Sequence, residues 1–267
     1  MVTANAHDQF FVPVTSDRFE RRLIADLAAG RCAAIRVPDF FSPDECAVVM
    51  NALLKVEFAA YGRARVWPEV MRFGVGASDY RRNGAISKEY WAAVDESRRA
   101  WDDLGLPFDP FELCRTRLGA DLPQPVEVAR RGGRAMGAGV AREPNQGFLV
   151  HFDDAQREFS DGFLDGDIIC QFAFNLYLSV PDSGGETVVW RHRWHPADDK
   201  HKPAGSYGFK ESVVGDAESF QMGPRIGEAV LLEPRFFHAV RPSDGGRRIA
   251  LGFSVSMTDT GQLLTWG

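Results

Sequence analysis

Apolar positions change their period along the chain. Up to about residue 118 they recur at helical spacing. Beyond about residue 120 they fall into short runs separated by turn residues. Phe19, Leu23 and Leu27 share one helical face, with Asp17 and Glu20 in a capping pattern and Gly30 placed to end the turn. Residues 32–37 read as a short strand. In the PDFFSPDE segment that follows, Ser42 suits an N-cap, Pro43 the first helical position, and Glu45 the far side of a capping box. Val48, Val49, Leu53 and Val56 then form the buried face of a second helix. A third is predicted over 88–104, with Tyr90, Trp91, Val94 and Trp101 inward and Gly105 at its end. A fourth is predicted over 110–118.

The glycine-rich stretch 133–139 reads as a loop. After it, strands are predicted at 147–152, 168–180, 186–191, 229–232, 239–241 and 248–257, with turns at 181–185, 223–227 and 243–246. Short strands punctuated by Gly and Pro indicate a sandwich, jelly roll or barrel. A chain of 267 residues with 45% apolar content buries such a core without staples. No repeat or linker divides it. One domain is therefore expected over 1–267, with a helical part at about 1–135 and a β-core at about 136–258.

Charge and cysteine usage narrow the partners. The net charge is −6 with no long basic run, and Arg130, Arg131 and Arg134 make too short a cluster to bind nucleic acid or an anionic membrane. None of Cys32, Cys46, Cys114 and Cys170 forms a CxxC pair, which reads as buried free thiols in a reducing compartment. MVTANAHDQF lacks a basic region followed by an apolar run, and no stretch approaches 18 apolar residues. A cytoplasmic protein is expected; nothing in the sequence indicates its oligomeric state.

Of the six histidines, only His151 has a carboxylate two positions on, in His151-Phe152-Asp153. Alternate residues of a strand share a face, so this pair can converge on one ion. The bare motif fits a surface histidine beside a loop aspartate equally well. His238 opens a later strand, and Arg248 follows ten residues on, with Ala250, Gly252 and Ser254 on its face. An arginine facing that space needs an anion. A dicarboxylate would supply one through a bidentate contact. Arg247 faces the other way. Two histidines and a carboxylate leave open positions on iron(II), and zinc can take the same set. Asp154, Asn145 and Arg142 crowd the mouth of this apolar core and are the expected contacts of a small polar substrate. His192, His195 and His201, with Asp198 and Asp199, read as a mobile polar loop able to act as a lid rather than a second metal site. Trp266 either closes the pocket or packs.

Four segments, in order, resemble the Fe(II)/2-oxoglutarate-dependent dioxygenases, in particular the prolyl 4-hydroxylase-like branch: VPDFFSPDEC, HFD, NLYLSVPDSGGETVVW and GEAVLLEPRFFHAVRPSDGGRR. They span roughly 32–57 and 147–257. The resemblance implies a mainly β fold with helices, a double-stranded β-helix (jelly roll, cupin-like) flanked by N-terminal helices. It implies Fe(II) on His151, Asp153 and His238, and 2-oxoglutarate with its far carboxylate on Arg248, assisted by Tyr177. Ser179 stands where the family's YLN motif has asparagine. The resemblance also implies O2 as the oxidant, with decarboxylation of 2-oxoglutarate to succinate driving hydroxylation of an unactivated C–H bond. Free amino-acid halogenases are similar in QFAFNLYLS and GGETVVW but carry Gly or Ala at the carboxylate position, so Asp153 favours hydroxylation. The leading expectation is a hydroxylase of a small polar metabolite, such as a free amino acid or derivative. A peptidyl, prolyl-type hydroxylase is the second reading. A non-catalytic β-barrel binding protein and a zinc hydrolase are weaker ones.

Overall fold

The computed structural model describes residues 11–61, 66–160 and 162–267. The leader reading of residues 1–10, and His7 with it, lie outside these. The first half holds β1 (Pro13–Thr15), α1 (Arg21–Ala28), β2 (Ala34–Val37), α2 (Pro43–Leu53), β3 (Met71–Gly74), α3 (Glu89–Asp102) and α4 (Pro110–Leu118). The capping box of α2 forms as expected: Ser42 Oγ accepts from the Glu45 N–H, and Glu45 answers the Ser42 N–H. Asp109 caps α4 through the Phe111 and Glu112 N–H groups. The expected cap of α1 does not form. Glu20 is its N-cap residue without a capping side chain, because Ser16 Oγ engages the Glu20 carboxylate instead.

The second half holds β4 (Val140–Glu143), β5 (Phe148–His151), α5 (Ala155–Glu158), β6 (Ile168–Ser179), β7 (Thr187–Arg193), β8 (Ser219–Met222), β9 (Ala229–Leu232), β10 (Phe236–Val240), β11 (Ile249–Thr258) and β12 (Leu263–Trp266). β10 starts three residues before the predicted 239, which places His238 mid-strand. Phe236 and Phe237 alternate into two different apolar clusters and so extend the pleat. The split at residue 135 also needs correction. β1, β2 and β3 join the main sheet from the expected helical part, and β12 continues it past 258.

That sheet is ten-stranded among the described residues, in the order β1-β2-β9-β6-β11-β4-β3, with Ala59–Ala60 beyond β3 and β12 bridging β11 to Glu127–Val128. A four-stranded sheet runs β5-β10-β7-β8. Alternation on the two central strands gives each face of the large sheet its character. Phe172, Phe174, Leu176 and Leu178 of β6, with Leu251, Phe253 and Val255 of β11, pack against α1, α2 and α4 through Leu23, Leu27, Val49, Leu53 and Phe111. Each such side chain contributes about 1.5–3 kcal/mol of burial. The opposite positions, Ala173, Asn175, Ala250 and Ser254, face a cavity. The small sheet mirrors this. Val150, Val188, Trp190 and Phe237 pack outward with Phe209 and Val214, while Val189 and Phe236 share an inter-sheet cluster with Tyr177, Val230 and Leu232. The result is mainly β with flanking helices. The four cysteines are free and buried, and burial pushes Cys32, Cys46 and Cys170 up to about 11. Among the described residues no helix is long and apolar enough to cross a membrane.

One buried ion pair ties β2 to the residue preceding β9. Arg36 Nε and Nη2 donate to Glu228 at 3.0 and 2.5 Å, with the Glu228 side chain only 1% exposed. Glu228→Ala strands the guanidinium and is expected to cost about 3–5 kcal/mol in denaturant unfolding. A loss under about 1 kcal/mol would show that the pair does not hold this edge.

Candidate metal centre

The pairing of β5 with β10 sets His151 directly opposite His238, with ring centroids 4.1 Å apart. Both rings are buried, at 4% and 7% exposure. Each Nδ1 lies on the carbonyl two residues earlier, Leu149 O at 2.7 Å and Phe236 O at 2.9 Å. A carbonyl only accepts, so each Nδ1 carries a proton, which leaves Nε2 as the nitrogen each ring can offer to a ligand. Asp153 is not on the strand as expected. β5 ends at His151, and the Asp153 N–H bonds to Pro234 O in the turn before β10. It still converges, with Oδ2 3.7 Å from His238 Nε2. One ligand atom from each of the three residues lies within 4.8 Å of the others, the sole such cluster among the described residues.

Arg248, 4% exposed, closes the far end of the cavity. Nε donates to Gly185 O at 2.8 Å and Nη2 approaches Thr187 Oγ1 at 3.3 Å. The guanidinium lies over the Tyr177 ring at 5.1 Å, and the Tyr177 hydroxyl meets the same Thr187 oxygen at 3.3 Å. Gly185 must be small: at φ +73 an added Cβ would stand 3.0 Å from Arg248 Cδ. Among the described residues no carboxylate pairs with Arg248, whereas Arg247 turns away and binds Glu143 twice, at 2.6 and 2.5 Å.

The comparisons bear on this arrangement. A family model described as carrier-protein-independent halogenase WelO5 matches residues 142–267. The chain is similar to a crystal structure of an N-substituted L-amino acid dioxygenase from Burkholderia ambifaria AMMD in complex with α-ketoglutarate. The TM-score is 0.60 at 15% identity, covering 92% of this chain and 91% of that one. It is also similar to a 2OG-Fe(II) oxygenase family member from Burkholderia pseudomallei, with TM-score 0.50, 14% identity, and 90% and 94% covered. In sequence, it is 36% identical over 263 residues, 97% of each chain, to an L-γ-glutamyl-L-propargylglycine hydroxylase of Streptantibioticus cattleyicolor. The chain belongs to the Fe(II)/2-oxoglutarate-dependent oxygenases. This oxygenase uses Fe(II), 2-oxoglutarate and O2, and the donor set of two neutral imidazoles and one carboxylate fits the iron.

Electrostatics keep that donor set ready. Burial, helped by neighbouring His238, pushes His151 down to about 3. Enclosure works against the Asp153 charge, but His151, His238, the Tyr207 hydroxyl and Arg142 outweigh it and hold the carboxyl below its ordinary range. Burial pulls the Arg248 guanidinium below its ordinary value, partly offset by the Tyr177 hydroxyl.

The other expected site residues separate. Arg142 lines the cavity, its Nε donating to the Tyr61 hydroxyl at 3.1 Å. Asn145 is committed to structure: Oδ1 accepts from the Arg248 N–H at 2.9 Å and Nδ2 donates to Glu143 at 2.8 Å. Asp154 caps α5 through the Arg157 N–H and borders a smaller neighbouring chamber. Ser179 donates to Arg247 O at 2.7 Å. The histidine-rich stretch is a strand end and 3₁₀ turn rather than a loose loop. His192 pairs with Asp198 at 3.0 Å, His195 caps the turn, and His201 meets Ser212. Trp266 packs on Phe163 and donates to Ser256 Oγ at 2.9 Å, beside the smaller chamber. Tyr207 is the functional residue that sequence reasoning missed. Its hydroxyl donates to Asp153 Oδ1, with Glu158 Oε1 at 3.3 Å. No spacing or motif around GSYGF announces it.

Two outcomes are expected. Tyr207→Phe should weaken Fe(II) binding roughly 10-fold in anaerobic competition titrations, because the carboxylate loses its orienting donor. The metal-free protein should melt progressively lower as pH falls from 6.5 towards 3. In that window the unfolded chain takes up a proton that folded His151 refuses. Asp153 adds to the loss below 3.8. Metal-free His151→Leu should show a flatter profile; an unchanged slope would remove His151 from the account.

Proposed function

We propose that His151, Asp153 and His238 hold Fe(II), that Arg248 with Tyr177 and Thr187 receives the far carboxylate of 2-oxoglutarate, and that the enzyme hydroxylates a small amino-acid-type metabolite. The observation that carries this is the buried Arg248, which has only neutral partners and shares one cavity with the triad. Such a guanidinium is costly until a carboxylate arrives. When bound, iron with 2-oxoglutarate and O2 supplies the oxidising equivalent for a C–H bond. The residues here orient the metal, hold the co-substrate and exclude water.

Asp153 fills the carboxylate position, which supports hydroxylation over halogenation. Tyr61, Val66, Val70 and Ser78 from the N-terminal part wall the cavity beyond the metal. This enclosure supports a small substrate rather than a protein chain. The hydroxylase relative acts on a γ-glutamyl amino acid, and amino acids with a blocked or extended amino group are the class we assign. The two facing sheets support a double-stranded β-helix, and the weaving of β1 to β3 into the large sheet supports one domain.

Anaerobic titration with Fe(II) and 2-oxoglutarate should give the visible charge-transfer band. His151→Ala and His238→Ala should abolish it. Arg248→Met should keep the band only at about 100-fold higher 2-oxoglutarate. A fully loaded, folded wild type without the band would sink the oxygenase assignment of these residues.

A further inference from the structure

We propose that the substrate presents a carboxylate to Arg142, on the cavity wall facing the triad; this rests on the oxygenase reading above. Arg142 of β4 stands directly opposite Arg72 of β3, so the two side chains leave the sheet on the same face. Like charges in that relation repel. Tyr61 comes between them. Arg72 lies over its ring at 4.8 Å, and Arg142 bonds its hydroxyl. One carboxylate serves the pair, since Asp79 lies 3.1 Å from Arg72 Nη2. Arg72 also donates to Gly74 O at 2.6 Å. Among the described residues no acid lies in ion-pair range of Arg142.

A charge count on the loaded site sharpens this. Fe(II) and Arg248 are matched by Asp153 and the two carboxylates of 2-oxoglutarate, so the reagent end is neutral. Asp79 is taken by Arg72. Arg142 feels Asp153 and Asp79 at longer range, yet among the described residues its guanidinium has no ion-pair partner, and the ligand still to come is the substrate. A singly charged carboxylate balances it, through the fork geometry a guanidinium offers. The wall is shaped for that use. Ser78, Asn175 and Ser254 line it with neutral partners. Gly252 leaves the space, since an added Cβ would stand 2.8 Å from Arg142 Nη1.

The test loads the full chain anaerobically with Fe(II) and 2-oxoglutarate. It offers free L-amino acids, N-substituted L-amino acids and γ-glutamyl amino acids, as acids and with each carboxylate in turn made a primary amide. Succinate release reads turnover. For an accepted compound, masking the carboxylate that Arg142 binds should lower kcat/KM about 100-fold. Arg142→Met should lose a similar factor on the acid and little more on the amide, so the losses do not add. Arg142→Lys should recover part of the acid rate. Without substrate, Arg142→Met should still fold and give the charge-transfer band at saturating Fe(II), so that its loss on the acid reads substrate binding rather than loss of the reagent site. Amides used as well as acids, an undiminished acid rate in Arg142→Met, or a loaded wild type that turns over none of these acids would overturn the proposal. A wild type with no band would overturn the oxygenase reading instead.

Discussion

Arg248 holds a charge in a buried place with only neutral partners among the described residues, and much of the surrounding structure serves that one requirement. Its backbone N–H is fixed by Asn145, its Nε by the Gly185 carbonyl, and its plane by the Tyr177 ring. The neighbouring Arg247 is drawn the opposite way by Glu143, which also anchors Asn145. The guanidinium therefore cannot swing out to solvent to relieve itself. Neutral groups position it without neutralising it, which keeps its affinity for an incoming carboxylate intact.

The candidate metal site depends on strand register for its two histidines, with Asp153 brought in from just past the end of β5. A one-residue slip between β5 and β10 would turn one of the paired imidazoles to the outer face. That slip would bury His151 or His238 among Phe237, Trp190 and Val188 and expose an apolar side chain in its place. The apolar packing outside the small sheet and the ligand geometry inside it are thus one constraint. On the large sheet, β6 and β11 do the equivalent work, with phenylalanine and leucine toward the helices and small or polar residues toward the cavity.

Much of this was legible in the residue order. The cap at Ser42 and the strands β6 and β11 each depend on local chemistry, and each appears where the pattern places it. What stayed hidden depends on contacts across the chain. β3 and β4 are short and mixed in polarity because β4 is buried on one face and carries Arg142 on the other. Asn145 reads as a polar mouth residue, and only the fold shows it holding Arg248 from 103 positions away. Tyr207 reaches Asp153 across 54 residues with no motif to mark it.

The cavity has two walls of different origin. His151 and His238 stand on β5 and β10, with Asp153 just past β5 and Arg248 just before β11, while Tyr61, Val66, Val70 and Ser78 come from the segment before α3. Changes at Val66 and Val70 reshape the chamber without replacing the residues proposed to hold iron and 2-oxoglutarate. The scaffold is thereby modular: a descendant or a designer can retune what enters while inheriting the reagent unchanged.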